Sequence, residues 1–165
     1  FKKWRGILIE GIPELYQQCL EERPQAKVYN CALVADDCRD SHVTMYYGNL
    51  MSVVRGSRKS EAADREQIEL SKQVQKQFDS YEVQVTARTL TSILDECQVK
   101  EIDFLSLDVE GFELNVLKGL DFKKYQPKYM LIEASFPEEI EDYISDMYIE
   151  IDRLSHHDIL YKLRK

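Results

Sequence analysis

A largely apolar run, Ile102-Asp103-Phe104-Leu105-Ser106-Leu107, opens onto Asp108-Val109-Glu110-Gly111 and then onto a helix with acid in its first turn. No other stretch limits the fold as much, because a strand that passes through a tight turn into a helix is the first half of a β-α-β unit. Parallel strands built this way are covered on both faces and read as near-continuous apolar runs. Their ligands sit in the crevice beyond the carboxyl ends of the strands. Two carboxylates one residue apart at such an end therefore mark a chemical edge.

The rest of the chain repeats the pattern. Ile7-Leu8-Ile9 ends at Glu10-Gly11, and Pro13 suits the first turn of a helix. Leu15, Cys19 and Leu20 form a stripe through residues 14–23, which Pro24 stops, and residues 27–33 read as the next strand. The rhythm then breaks. Residues 43–47 predict a short strand and 48–60 a polar loop. Residues 61–78 predict a helix with Leu70, Val74 and Phe78 on one face, and 81–87 alternate like a half-buried or edge strand. We read residues 36–80 as an insertion over the binding edge, since long inserted segments are commonly functional lids.

Alternation resumes with Thr89 capping a helix over 90–97. A buried strand over 102–107 and a helix over 111–119 follow. Residues 129–133 are another apolar strand ending in acid, and Ser135-Phe136-Pro137-Glu138 reads as a capping box for a helix over 138–147. Residues 148–154 and 159–163 alternate as a hairpin joined by Ser155-His156-His157-Asp158. With 165 residues, the chain suits a single domain with a substantial core.

The net charge of −8 argues against a nucleic-acid or anionic-membrane surface, which would need clustered Lys and Arg. Arg55, Arg58 and Lys59 are the one basic cluster and read as a solvated loop. The four cysteines show no CxxC spacing, which fits a reducing, cytoplasmic setting. No Cys/His pair has ligand spacing, so no metal is expected beyond a weakly held magnesium ion on Asp108 and Glu110.

If the strands are parallel, Glu10, Asp108 with Glu110, and Glu133 all reach one edge of the sheet. Glu10 would accept hydrogen bonds from a ribose diol, a feature common to several nucleotide-binding sheets. A histidine of the hairpin tip, His156 or His157, could act as a general base near neutral pH; equally, the tip is a polar turn capped by Asp158. His42 is isolated and reads as solvated.

Taken together, these residues resemble the FkbM-type methyltransferase family. The likeness rests on Trp4-Arg5-Gly6-Ile7-Leu8-Ile9-Glu10 with Pro13-Glu14-Leu15, on Asn30-Cys31-Ala32-Leu33, and most specifically on Asp108-Val109-Glu110-Gly111-Phe112-Glu113 with Val116-Leu117-Lys118-Gly119. Ile132-Glu133 and Leu154-Ser155-His156-His157-Asp158 are similar to its last strands. The resemblance implies a class I, Rossmann-like three-layer sandwich with a mostly parallel sheet and a C-terminal antiparallel hairpin. It implies S-adenosylmethionine as cofactor and a hydroxyl oxygen of a sugar, polyketide or similar small molecule as acceptor. By position, Glu10 would hold the cofactor ribose. Gly11 and Ile12 would border the adenine, and Cys31, Ala32 and Leu33 would flank it. Asp108 would lie beside the cofactor's methionine end or the acceptor, with Asp108 or His157 as the base and Glu110, Glu133 and His156 around the substrate.

One departure stands out. The six glycines form no GxGxxG-like cluster and no strand precedes Ile7, so the sequence reads as a domain lacking its first strand and glycine-rich loop. Two other activities fit the same sheet: a nicotinamide-dependent oxidoreductase, which shares the acid at Glu10, and a non-catalytic methyltransferase-like module.

Overall fold

The computed structural model describes residues 5–75 and 78–164. Trp4 of the family-like motif lies outside the described residues, as do Lys76 and Gln77 of the expected helix. The chain divides into two compact units: Phe1–Leu33 with Arg39–Arg88, and Val34–Cys38 with Thr89–Lys165.

In the first unit, strand β1 (Ile7–Glu10) leads into helix α1 (Pro13–Glu22), which starts on the predicted proline. Strand β2 (Lys27–Asn30) returns parallel to β1, with Glu10 opposite Asn30. The single strand expected over 27–33 is broken at Cys31. Asn30 turns its side-chain amide back to the carbonyls of Glu10 and Gly11, at 2.9 and 2.8 Å. The chain then resumes as β3 (Ala32–Leu33), which joins a different sheet in the order β3-β6-β4-β5. Here β4 is His42–Tyr46, β5 is Val53–Val54 and β6 is Glu82–Arg88. Since β3 lies on one side of β6 and β4 on the other, β6 is interior and not an edge.

Helix α2 (Glu61–Val74) corrects the predicted face. Leu70 and Val74 are exposed, while Asp64, Gln67, Ile68 and Ser71 point inward. The reason is the loop before it, whose backbone needs partners once buried. The Asp64 carboxylate accepts N–H bonds from Gly56 and Arg58 at 2.5 and 3.0 Å, and the Ser71 hydroxyl donates to the Gly48 carbonyl at 2.5 Å. Ile68 completes a small apolar cluster with Tyr46 and Val53.

The second unit holds helices α3 (Leu90–Glu96), α4 (Glu113–Lys118) and α5 (Pro137–Ile144). Its strands are β7 (Phe104–Leu107), β8 (Tyr129–Glu133), β9 (Tyr148–Arg153) and β10 (Asp158–Leu163), in the order β7-β8-β10-β9. Thr89 caps α3 as predicted, its hydroxyl accepting from Ser92 N at 3.1 Å. The box at Ser135 does not cap α5: Phe136 holds the cap position, and Pro137 begins the helix. Strands β7 and β8 are parallel and β10 is antiparallel to both neighbours, so β9 runs with β7 and β8.

Alternation sets the two faces of this sheet. Met130, Ile132 and Ile159 join Ile93, Val116, Leu117, Ile140 and Ile144 in a core where none is more than 1 % exposed. Each such side chain contributes roughly 1.5–3 kcal/mol by leaving water. The opposite face carries Phe104 and Tyr129, both exposed, so β7 alternates and is not the buried run expected.

Thus the single, mostly parallel sheet expected from the alternation is replaced, among the described residues, by three sheets, one parallel and two mixed. A parallel arrangement closed by an antiparallel hairpin holds within the second unit alone.

Candidate active site

The β7–α4 turn carries the most specific motif. After buried Leu107 come Asp108 and Val109, then two successive left-handed residues, Glu110 (φ 53°) and Gly111 (φ 99°). Glycine adopts this conformation freely. For Glu110 it costs about 1–2 kcal/mol, so something must hold the turn. Part of the hold is the Phe112 N–H, which donates to the Val109 carbonyl at 3.2 Å. The larger part is Glu113, 1 % exposed, whose carboxylate accepts the Gly111 N–H at 2.8 Å. The N–H groups of Val109 and of Glu113 itself also bond to that carboxylate. Burial pushes the Glu113 carboxyl up from the usual carboxylate range, and these N–H bonds pull it partly back.

The parallel register pairs Leu107 with Ile132, which sets the next residues, Asp108 and Glu133, side by side. Each carboxyl bears on the ionisation of the other. Across β8 from Asp108, Asp158 is the direct partner of Glu133. Three carboxyls thus stand abreast on adjacent strands. Partial burial raises Asp108 first; accepting from Glu133 offsets this, and the charge of Asp158 adds to it. Burial also raises Glu133, and the charges of Asp108 and Asp158 raise it further against a lowering by His157. The two carboxyls therefore hold a proton to higher pH than isolated carboxyls would. Asp108 still presents more than a third of its surface to the outside, so the pair is packed on one side and open on the other.

The hairpin tip is braced independently. The Ser155 hydroxyl donates to Asp158 Oδ2 at 2.8 Å and accepts the N–H groups of His157 and Asp158 at 3.1 and 3.0 Å. The Ala134 N–H donates to the His157 carbonyl at 2.8 Å, tying the tip to the end of β8. His156 and His157 are exposed, with ring centroids 3.8 Å apart. The turn is capped mainly by Ser155, which leaves Asp158 facing Glu133.

Glu10 ends a strand of a different sheet, in the first unit. Its Oε1 accepts the Ile12 N–H at 2.8 Å and the carboxyl also bonds the Gly11 N–H; burial raises it and these bonds lower it. A side chain on Gly11 would meet the Met45 thioether, which would have to shift to admit it. Ile12 is wholly buried and Cys31 and Ala32 nearly so, while Glu10 and Leu33 keep exposed surface. A carboxylate offers about four acceptor positions. Glu10, half-buried and anchored by the Ile12 N–H, keeps acceptor positions of the kind that a pair of hydroxyls needs.

Of the residues singled out in the sequence, the second unit brings together Asp108, Glu133 and His157, with Glu110 in the same turn and the His156 ring tilted against that of His157. Two contributors escaped that reading. The sequence pattern presents Asp158 as a turn cap, because its place opposite Glu133 depends on strand order. Glu113 lies inside the quoted motif, and its only signal is an acid five residues beyond Asp108.

Among the described residues, no group of three His, Cys, Asp or Glu side chains could hold a metal ion. No helix among them is long and apolar enough to cross a membrane. A shallow cavity of about 190 Å³ lies at the amino ends of β7 and β8, lined by Lys100, Ile102, Lys124, Tyr125 and Lys128. It is remote from the acids along those strands, and Asp95, Glu101 and Asp103 pair with Lys124 and Lys128. The acids, not this cavity, mark the site. A family model described as the methyltransferase FkbM domain matches residues 1–164. Searches of curated proteins and of solved structures found no match.

Proposed function

The chain belongs to the methyltransferase FkbM domain family, and from that premise we propose S-adenosylmethionine-dependent methylation of a hydroxyl oxygen on a small molecule such as a sugar or polyketide. The cofactor supplies, when bound, a methyl group on a sulfonium that an oxygen nucleophile can attack. In the first unit, Glu10 accepts the ribose hydroxyls, and Leu33 offers apolar surface near the end of β3. In the second unit, Asp108 accepts the proton of the acceptor hydroxyl, with Glu133 beside it in register. The hairpin bearing Asp158 and His157 bounds the acceptor on the far side.

Asp108 is favoured over His157 as the base. The Asp108 carboxyl is raised by burial and stands beside Glu133, whereas the His157 ring is exposed and lies tilted against His156. General-base efficiency improves as the carboxyl rises toward the operating pH. Holding the reactants in line supplies most of the remaining acceleration, up to about 7–11 kcal/mol.

The observation that carries this reading is the parallel register that sets Asp108 beside Glu133 at the carboxyl ends of β7 and β8. Calorimetry with S-adenosylmethionine and S-adenosylhomocysteine tests the cofactor half, with a nicotinamide dinucleotide as the control ligand. Binding of the sulfur nucleosides, weakened in Glu10→Ala, is the expected result. Preference for the dinucleotide refutes it. Transfer of labelled methyl to a panel of hydroxyl compounds tests the acceptor half.

A further inference from the structure

We infer that Glu113 is a positioning residue that locks the Asp108–Gly111 turn from inside the protein and so sets the Asp108 carboxyl against Glu133. The inference deepens the proposed role of Asp108 and rests on it for its consequence in turnover.

Burial separates Glu113 from its neighbours in the motif. Asp108 is exposed and Glu110 half-buried, while Glu113 is 1 % exposed. A carboxylate taken out of water must be compensated by donors. Its donors are backbone N–H groups of a single short stretch: Gly111 at 2.8 Å, Val109, and Glu113 itself. This stretch contains both left-handed residues, and Asp108 immediately precedes it. An acid that merely complemented a helix dipole could remain in water. The following helix, only six residues long, is too short to impose the turn by its own stability. Lacking surface, Glu113 cannot touch a substrate. Its influence on chemistry must therefore pass through the turn to Asp108.

Glu113→Gln preserves size but turns one acceptor oxygen into a donor that opposes the backbone N–H groups. In ¹³C-carboxyl NMR titrations of this variant, we expect Asp108 and Glu133 to move toward ordinary carboxylate behaviour as the pair separates. Amide exchange at Val109 and Gly111 should quicken roughly tenfold, the equivalent of one lost hydrogen bond. With an active enzyme, kcat should fall roughly tenfold with KM little changed, as for a misplaced base. A folded Glu113→Gln protein whose Asp108 and Glu133 titrate as in the wild type overturns the inference.

Should the variant not fold, amide exchange in the wild type decides. Protection of Val109 and Gly111 beyond that of an unstructured peptide supports the lock, and unprotected amides overturn it. The two proposals fail separately. A displaced titration in a protein that transfers no methyl group leaves the lock standing and removes Asp108 as the base.

Discussion

The turn after β1 and the turn after β7 share one grammar, a parallel strand ending in acid, then glycine, then a helix, yet they satisfy that acid in opposite ways. At Glu10 the carboxylate itself folds back onto the turn and accepts the Ile12 N–H. At Asp108 the backbone is held by a second acid, Glu113, so the first is left to meet Glu133. One acid is a fixed acceptor whose lone pairs are already aimed. The other belongs to a pair that exchanges a proton. A strand-end acid can thus be a hydrogen-bonding post or a proton-handling group, depending on what else caps the turn.

The sharpest way to break this comparison is to remove both acids and ask which property each removal damages. Asp108→Ala should lower turnover by roughly 10²–10⁴-fold with cofactor binding little altered, the loss typical of a general base. Glu10→Ala should instead weaken cofactor binding. Steady-state kinetics beside calorimetry separates the two. Similar losses in both quantities from both variants would erase the distinction.

That distinction was only half legible in the sequence. Apolar periodicity located β1, β8 and the hairpin, because it reports side chains that bury by leaving water. It failed wherever a polar side chain is buried because a backbone requires it. Helix α2 was assigned Leu70 and Val74 as its inner face, but Asp64 and Ser71 go inside to serve the loop over Gly48 and Arg58. Glu113 is the same phenomenon in the second unit. Asn30 is a third case, its amide spent on two carbonyls where a longer strand was expected. The pairing of Glu133 with Asp158 needed strand order, which periodicity does not encode.

Stability gives a second contrast, of intermediate size. Glu113→Ala strands buried N–H groups and should cost about 1–3 kcal/mol. Glu10→Ala removes a half-buried acceptor that holds the Ile12 N–H, and should cost about 0.5–1.5 kcal/mol. Urea denaturation of both variants measures the difference. A larger loss at Glu10 would mean that its turn, not that of Asp108, depends more on the acid.

The smallest effect is the most direct probe of the shared proton. Burial and neighbouring charge hold Glu133 above the ordinary carboxylate range in the folded protein. Below that range both folded and unfolded chains carry the proton, and the group contributes nothing to the balance. As pH rises through the ordinary range the unfolded chain releases its proton first, so the folded state binds more protons and loses stability relative to it. The loss grows until the raised carboxyl has itself ionised and persists above that point. Glu133→Gln abolishes this loss and can still donate to Asp108. It should therefore be more stable than the wild type at pH 7, by less than about 1 kcal/mol because the pair is open to solvent on one side. Near pH 3 the two proteins should match. Glu10→Gln should gain less, since the Gly11 and Ile12 N–H groups favour the ionised form and already offset its burial. Thermal unfolding of the three proteins across this pH range distinguishes a carboxyl that shares a proton from one that does not: a gain at neutral pH that is no larger for Glu133→Gln than for Glu10→Gln would place the excess proton somewhere other than the Asp108–Glu133 pair.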